Sequence, residues 1–213
     1  MSKSFNSYQA QIHVEQHMQQ PWRAHDLMSD FEIEDVWRLP IVLTADQSVA
    51  DVRSKLFGSL TTVQQTGVAG FLFQLRLGLG RVFGWDAEPD MTAPDMTVPE
   101  TAMTLQPGSL RERYAIAEGL TAEQLPKPTG AAFVPVYLLE HESLDEIDNA
   151  TVHAGLHLGR VSLDGGHFTV QMAIYVKPKG RWGRAYMALI KPFRYWIVYP
   201  AMMRVVEKQW VSS

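Results

Sequence analysis

The stretch from Ala185 to Val206, AYMALIKPFRYWIVYPAMMRVV, constrains the fold more than any other part of the chain. It is long enough to cross a bilayer, but Lys191, Arg194, Arg204 and two prolines interrupt it. Each cation at mid-membrane costs about 2.5–3.5 kcal/mol, so the segment is expected to pack on protein rather than span lipid. As a helix running from about Arg181 to Trp210, it places Tyr186, Leu189, Ile190, Phe193, Trp196, Ile197 and Pro200 on one face. Arg184, Lys191 and Arg194 fall opposite, on an expected solvated face. Pro192 is expected to kink the helix and change the aim of its two halves. An apolar face of this size needs a partner layer.

The rest of the sequence offers a sheet. Three strand candidates, Ala132–Glu140, Ala150–Val161 and His167–Lys177, precede the helix, and the last two are joined through Asp164-Gly165, a strong hairpin signal. Upstream, Asp35–Leu43 has strand composition, with Pro40 arguing for an edge position. Ser48 caps a helix over Val49–Gln65 that carries an apolar stripe at Val49, Val52, Leu56, Leu60 and Val63. A second helical segment follows over Val68–Trp85. Recurrent prolines between residues 86 and 129 indicate a wrapping loop with one short helix near Ser109–Glu118. Residues 1–23, rich in Gln, Ser and His, read as a loosely ordered tail, and 24–213 as a single α+β domain.

Several function classes fall away early. The 213 residues contain no cysteine, which excludes disulfides, cysteine nucleophiles and thiolate metal sites. A formal charge of −4 gives no overall attraction to nucleic acid. The first residues hold no continuous apolar run of the kind a secretory signal needs, so a cytoplasmic location is expected. His141-Glu142 lacks the second histidine of a zinc-protease motif, and Gly78-Leu-Gly80-Arg-Val-Phe-Gly84 has the wrong spacing for a dinucleotide fingerprint. His13 and His17 share a helical face, but in a tail they make a poor metal site. Neither a metal nor a cofactor is expected.

His153 and His157 project from one side of a strand about 13 Å apart, too far to share a metal. Their side depends on the hairpin register. A two-residue Asp164-Gly165 loop sets both among Phe168, Val170, Met172 and Ile174. A three-residue Leu163–Gly165 loop groups Val152, Ala154, Leu156 and Leu158 with those residues instead. The second register keeps both faces consistent and is favoured, with the histidines sharing a polar face with Thr169, Gln171 and Tyr175, open to solvent or to another subunit.

Asn149–Gly159, Val176-Lys-Pro178, Gly183–Arg194 and Tyr199-Pro200, with Asp35–Pro40 and Leu79–Asp86 upstream, resemble an uncharacterised bacterial domain family of unknown function. That family is similar to the START, polyketide-cyclase and birch-pollen-allergen superfamily. The resemblance implies a helix-grip fold, a curved antiparallel sheet wrapped around a long C-terminal helix, with a pocket between them. It implies no reaction. The expected activity is therefore binding of a small apolar or amphipathic molecule there, with Tyr137, His153, His157, Arg184, Tyr186, Phe193 and Trp196 as candidate contacts. A cyclase- or isomerase-type enzyme in the same cavity is the alternative, and a peripheral-membrane or partner-binding role for the basic helix face is a third. Homo-oligomerisation is left open.

Overall fold

The computed structural model describes residues 10–65, 104–128, 133–148 and 152–211. The side chains of 58–65 and of Trp182, Tyr186, Ile190, Phe193 and Ile197 fall outside that description, as do the helical segment expected over Val68–Trp85 and residues 86–103 of the Pro-rich stretch. The described chain is α+β. Two short helices, α1 (Val14–Met18) and α2 (Arg23–Leu27), lead into strand β1 (Glu32–Arg38). Helices α3 (Val49–Gln65) and α4 (Leu110–Glu118) precede the strands β2 (Val134–Leu138), β3 (Glu142–Asp148), β4 (Val152–Ser162) and β5 (Phe168–Pro178). The strands form one antiparallel sheet in the order β1-β5-β4-β3-β2.

β1 lies at an edge, as Pro40 indicated, and ends before that proline. The β4–β5 hairpin pairs Leu156 with Ile174 and Leu158 with Met172, so Val152, Ala154, Leu156 and Leu158 share a face with Val170, Met172 and Ile174. That is the favoured grouping. The turn itself lies one residue later than expected: Leu163 N–H donates to His167 O at 2.8 Å, leaving Asp164-Gly165-Gly166 as the loop. Gly165 and Gly166 take φ of 76° and 77°, a left-handed backbone that costs glycine little.

Both faces of the sheet are covered. On one, Trp37, Leu39, Leu158 and Met172 pack against Val52 and Leu56 of α3 and against Tyr199 and Met203 near the C terminus. On the other, Val36, Leu144, Ala173 and Tyr175 pack under Ile12, Trp22, Ala24 and Met28, with Leu110 and Tyr114 of α4 alongside. Residues 10–23 are therefore not a loose tail: Ala10, Ile12, His17 and Trp22 are buried. Their polar composition matches the polar face of the sheet that they cover.

The C-terminal region is helical in two parts, α5 (Gly180–Phe193) and α6 (Tyr199–Val211), joined by a π turn at Arg194–Val198. Pro192 has no N–H for the helical ladder and its ring crowds the preceding turn, and the wide turn follows at once. Extra residues in that turn rotate the helix face, and two expectations fail as a result. Arg194, assigned to the solvated face, turns inward onto Asp35, whose side chain is fully buried at a bulge in β1. Trp196, assigned to the apolar face, is 76% exposed. Tyr199 OH also donates to Asp35 Oδ2, at 2.7 Å, and Tyr195 OH donates to Oδ1, so the carboxylate is held by three donors from one stretch of helix.

Candidate functional site

β3 reads Glu-Ser-Leu-Asp-Glu-Ile-Asp, a strand whose acidic groups are mostly buried. Glu142 and Glu146 share the face covered by residues 10–28, while Asp145 points the other way and pairs with Arg53 of α3, its Oδ2 2.8 Å from Arg53 Nε. Gly159 pairs with Glu142 and Gly155 with Glu146, so His157 and His153 stand diagonal to the two glutamates. His157 Nε2 lies 3.1 Å from Glu142 Oε2, and His153 Nε2 lies 2.6 Å from Glu146 Oε1. The same Glu–His diagonal thus occurs twice, four residues apart.

The two diagonals do different work. Glu146 also accepts Leu110 N–H at 2.7 Å at the start of α4, so it ties that helix to the sheet. Glu142 has three donors: Tyr137 O–H at 2.9 Å, His157 Nε2–H, and Arg23 N–H at 3.0 Å. Burial alone would raise its pKa, but these donors outweigh it and hold the carboxyl below its ordinary value. Burial pushes His157 down, keeping the ring neutral, and pushes the Tyr137 hydroxyl up, with Glu142 adding to that rise. At neutral pH the group is a carboxylate, a neutral imidazole and a neutral phenol.

Beside this lies a second histidine network. Tyr175 OH is 2.9 Å from both His17 Nε2 and His25 Nδ1, while His17 Nδ1 is 3.0 Å from Gln171 Oε1. His25 Nε2 faces the His17 carbonyl at 3.2 Å and must donate to it. Tyr175 O–H thus bridges the two rings, and His17 meets the Gln171 side-chain amide through its other ring nitrogen. Burial, with His157 nearby, lowers the His17 pKa to about 4. The rings of His17 and His157 are 5.4 Å apart, and the Trp22 indole lies 5.3 Å from His157. Trp22 sits so close over Gly159 that a β-carbon there would fall 2.7 Å from its ring.

A cleft of ≈ 470 Å³ opens where β4 runs on past the start of β3. Trp22, Leu139 and Phe168 give it apolar walls; Glu142, Arg160 and Ser162 bring polar groups to it. Glu142 therefore belongs to both the cleft and the buried network.

Of the residues singled out from sequence, Tyr137, His153 and His157 come together on this face, two of them around Glu142. Their face is polar, as expected, but it is buried under residues 10–28 rather than open to solvent. Arg184 is exposed on α5 and Trp196 on the π turn, both away from the cleft. The side chains of Tyr186 and Phe193 lie outside the described residues. Sequence reading missed Glu142, Trp22, His17, His25 and Arg160. The available signal was the repeated four-residue spacing, Glu142/Glu146 against His153/His157, and it becomes legible only once β3 is accepted as a strand.

A family model described as a protein of unknown function, DUF2867, matches residues 27–201. The chain belongs to that family. The DUF2867 match takes in β1 to β5, Glu142 and Arg160, and begins after His17, Trp22 and His25. No curated protein and no solved structure matches the chain. Among the described residues, no helix is long and apolar enough to cross a membrane, and no group of three or more His, Asp or Glu residues is placed to hold a metal ion.

Proposed function

We propose that this DUF2867 protein binds a small amphipathic molecule in the cleft beside Glu142. One observation carries the reading: an ionised carboxylate, buried and fixed by three donors, stands at the wall of a cleft where Trp22, Leu139 and Phe168 offer apolar surface beside polar residues that include Glu140, His141 and Arg160. The site differs from the one expected between sheet and C-terminal helix. There, among the described residues, Trp37, Met172, Tyr199 and Met203 fill the space as core. The helix-grip relationship belongs to the same proposal, supported by the antiparallel sheet with the C-terminal helices against one face.

Binding is favoured over acid–base catalysis by the state of the groups. A general base works best with a pKa near the operating pH, and Glu142 is held in the opposite direction. Tyr137 and His157 act as supports that keep its charge in place. The basic-face reading of the last helix loses ground for a different reason: Arg194 faces inward, and Lys191 Nζ lies 3.2 Å from Glu34 Oε1.

Native mass spectrometry of protein purified from its own host tests the proposal, alongside a thermal-shift screen with amphipathic fluorescent probes. A bound mass or probe lost on Trp22→Ala supports it. A panel in which no probe binds the native protein, with no co-purifying mass, contradicts it.

A further inference from the structure

Glu142 has a counterpart in the same cleft. Arg160 follows Gly159, the strand partner of Glu142, and its N–H donates to His141 O at 2.8 Å, which fixes it beside the β2–β3 turn. Adjacent strand residues project to opposite faces, so the two side chains leave the sheet on opposite sides. β3 begins at Glu142 whereas β4 continues to Ser162, and past that point no β3 residue separates the faces. The cleft occupies this step and is lined by both side chains.

The guanidinium of Arg160 is fixed but poorly coordinated. Its carbon lies 3.7 Å from the centre of the Phe168 ring, and Nη2 reaches the carbonyls of Thr44 and Ala45 only at 3.4 and 3.3 Å. Nε is buried without a partner. Among the described residues no carboxylate pairs with it, and Glu142 and Arg160 do not pair with each other. A guanidinium has five donors arranged for a planar oxyanion. A buried carboxylate and a guanidinium with no carboxylate partner, at two sides of one cleft that also carries the Trp22 and Phe168 rings, make a binding site for a molecule with both charges.

We propose that the ligand is a zwitterion of the free amino-acid class with an apolar side chain, its ammonium on Glu142, its carboxylate on Arg160 and its apolar body against Trp22 and Phe168. This rests on the reading of the cleft as a ligand site. An ammonium beside Glu142 would also meet the Trp22 indole, an aromatic ring suited to a cation. A singly charged ligand leaves one of the two anchors unused, and an uncharged one leaves both.

Isothermal titration of the full chain with four probes sharing a phenyl body tests this: L-phenylalanine, 2-phenylethylamine, 3-phenylpropionate and 2-phenylethanol. L-phenylalanine is expected to bind about tenfold or more tighter than either singly charged probe, the equivalent of about 1.4 kcal/mol per lost anchor. Arg160→Gln, at a partly exposed position, should weaken L-phenylalanine and 3-phenylpropionate and leave 2-phenylethylamine unchanged; Glu142→Gln should do the reverse for the two singly charged probes. If Glu142→Gln does not fold, the Arg160→Gln pattern alone decides. Binding of 2-phenylethanol or a singly charged probe as tightly as L-phenylalanine overturns the zwitterion while leaving the cleft as a binding site. Binding of none of the four overturns the zwitterion, and the cleft with it if the amphipathic-probe screen is also blank.

Discussion

Glu142 and His157 are diagonal neighbours on β3 and β4, and the Nε2–H of a neutral, fully buried imidazole supports a carboxylate from 3.1 Å. The pair joins the inside of the sheet face to the cleft. A charge placed there needs all its donors, because a buried carboxylate short of hydrogen bonds is costly. Glu142→Gln keeps the shape but loses the charge and cannot accept from Arg23 through its amide nitrogen. It should lower unfolding free energy by about 1–3 kcal/mol, as read from urea denaturation at neutral pH. A change indistinguishable from zero would mean that the carboxylate is not held as described.

Stability should fall on mild acidification. His17 and His157 are depressed in the folded state, so below the ordinary histidine value of about 6.5 the unfolded chain binds protons that the folded chain refuses. The loss therefore begins below about pH 6.5 and continues toward the folded pKa of about 4, reaching roughly 2–3 kcal/mol for His17 alone. Well above pH 6.5 neither ring is charged in either state, and these groups give no slope. The depressed carboxyls act in a separate window: Glu142 and Asp30 contribute stability that is present above their unfolded values and is lost only at still lower pH. His17→Gln should flatten the slope between pH 6.5 and 5 in denaturation curves; an unchanged slope would remove His17 from the account.

Arg194 and Trp196 test the π turn. Arg194→Ala leaves the fully buried Asp35 without its cation and should cost about 3 kcal/mol or more, even with Tyr195 and Tyr199 still donating. Trp196→Ala, at an exposed position, should stay within about 0.5 kcal/mol. An unbroken helical phase gives the opposite order, so the ranking of the two denaturation free energies decides between them.

Two glycines of β4 should differ. At Gly159 a β-carbon meets the rings of Trp22 and His157 at 2.7 and 2.9 Å, whereas at Gly155 it meets the Met28 sulfur at 2.4 Å, on a flexible side chain. Gly159→Ala should cost about 1–3 kcal/mol and disturb Trp22, and Gly155→Ala should cost less because methionine adapts. Thermal denaturation followed by tryptophan fluorescence reads both effects.

Four of the five strands, the Ser48 and Ser109 helix starts and the polarity of the β4–β5 faces were legible in the sequence, because alternation and capping are local signals. β3 was not. Glu142, Asp145 and Glu146 look like solvent residues until His157, Arg53 and His153 are known to meet them. The covering segment was hidden for the same reason: the Gln and His residues of 10–25 resemble a solvated tail, yet His17 and His25 find their partners in Gln171 and Tyr175, some 150 residues away. Residue periodicity also cannot anticipate a π turn, so the helix face was read in the wrong phase beyond Pro192.

The central claim, an ionised Glu142 held at the cleft by neutral His157, is tested most directly by NMR of the side chains themselves. Carboxyl carbon and imidazole nitrogen shifts, followed from pH 7.5 to 4.5, report each group separately. The account predicts a Glu142 carbon that stays at its ionised position through pH 5 and a His157 ring that is the neutral Nε2–H tautomer at pH 7. A Glu142 that titrates at or above the ordinary carboxyl range, or a His157 that is an imidazolium at pH 7, would contradict it.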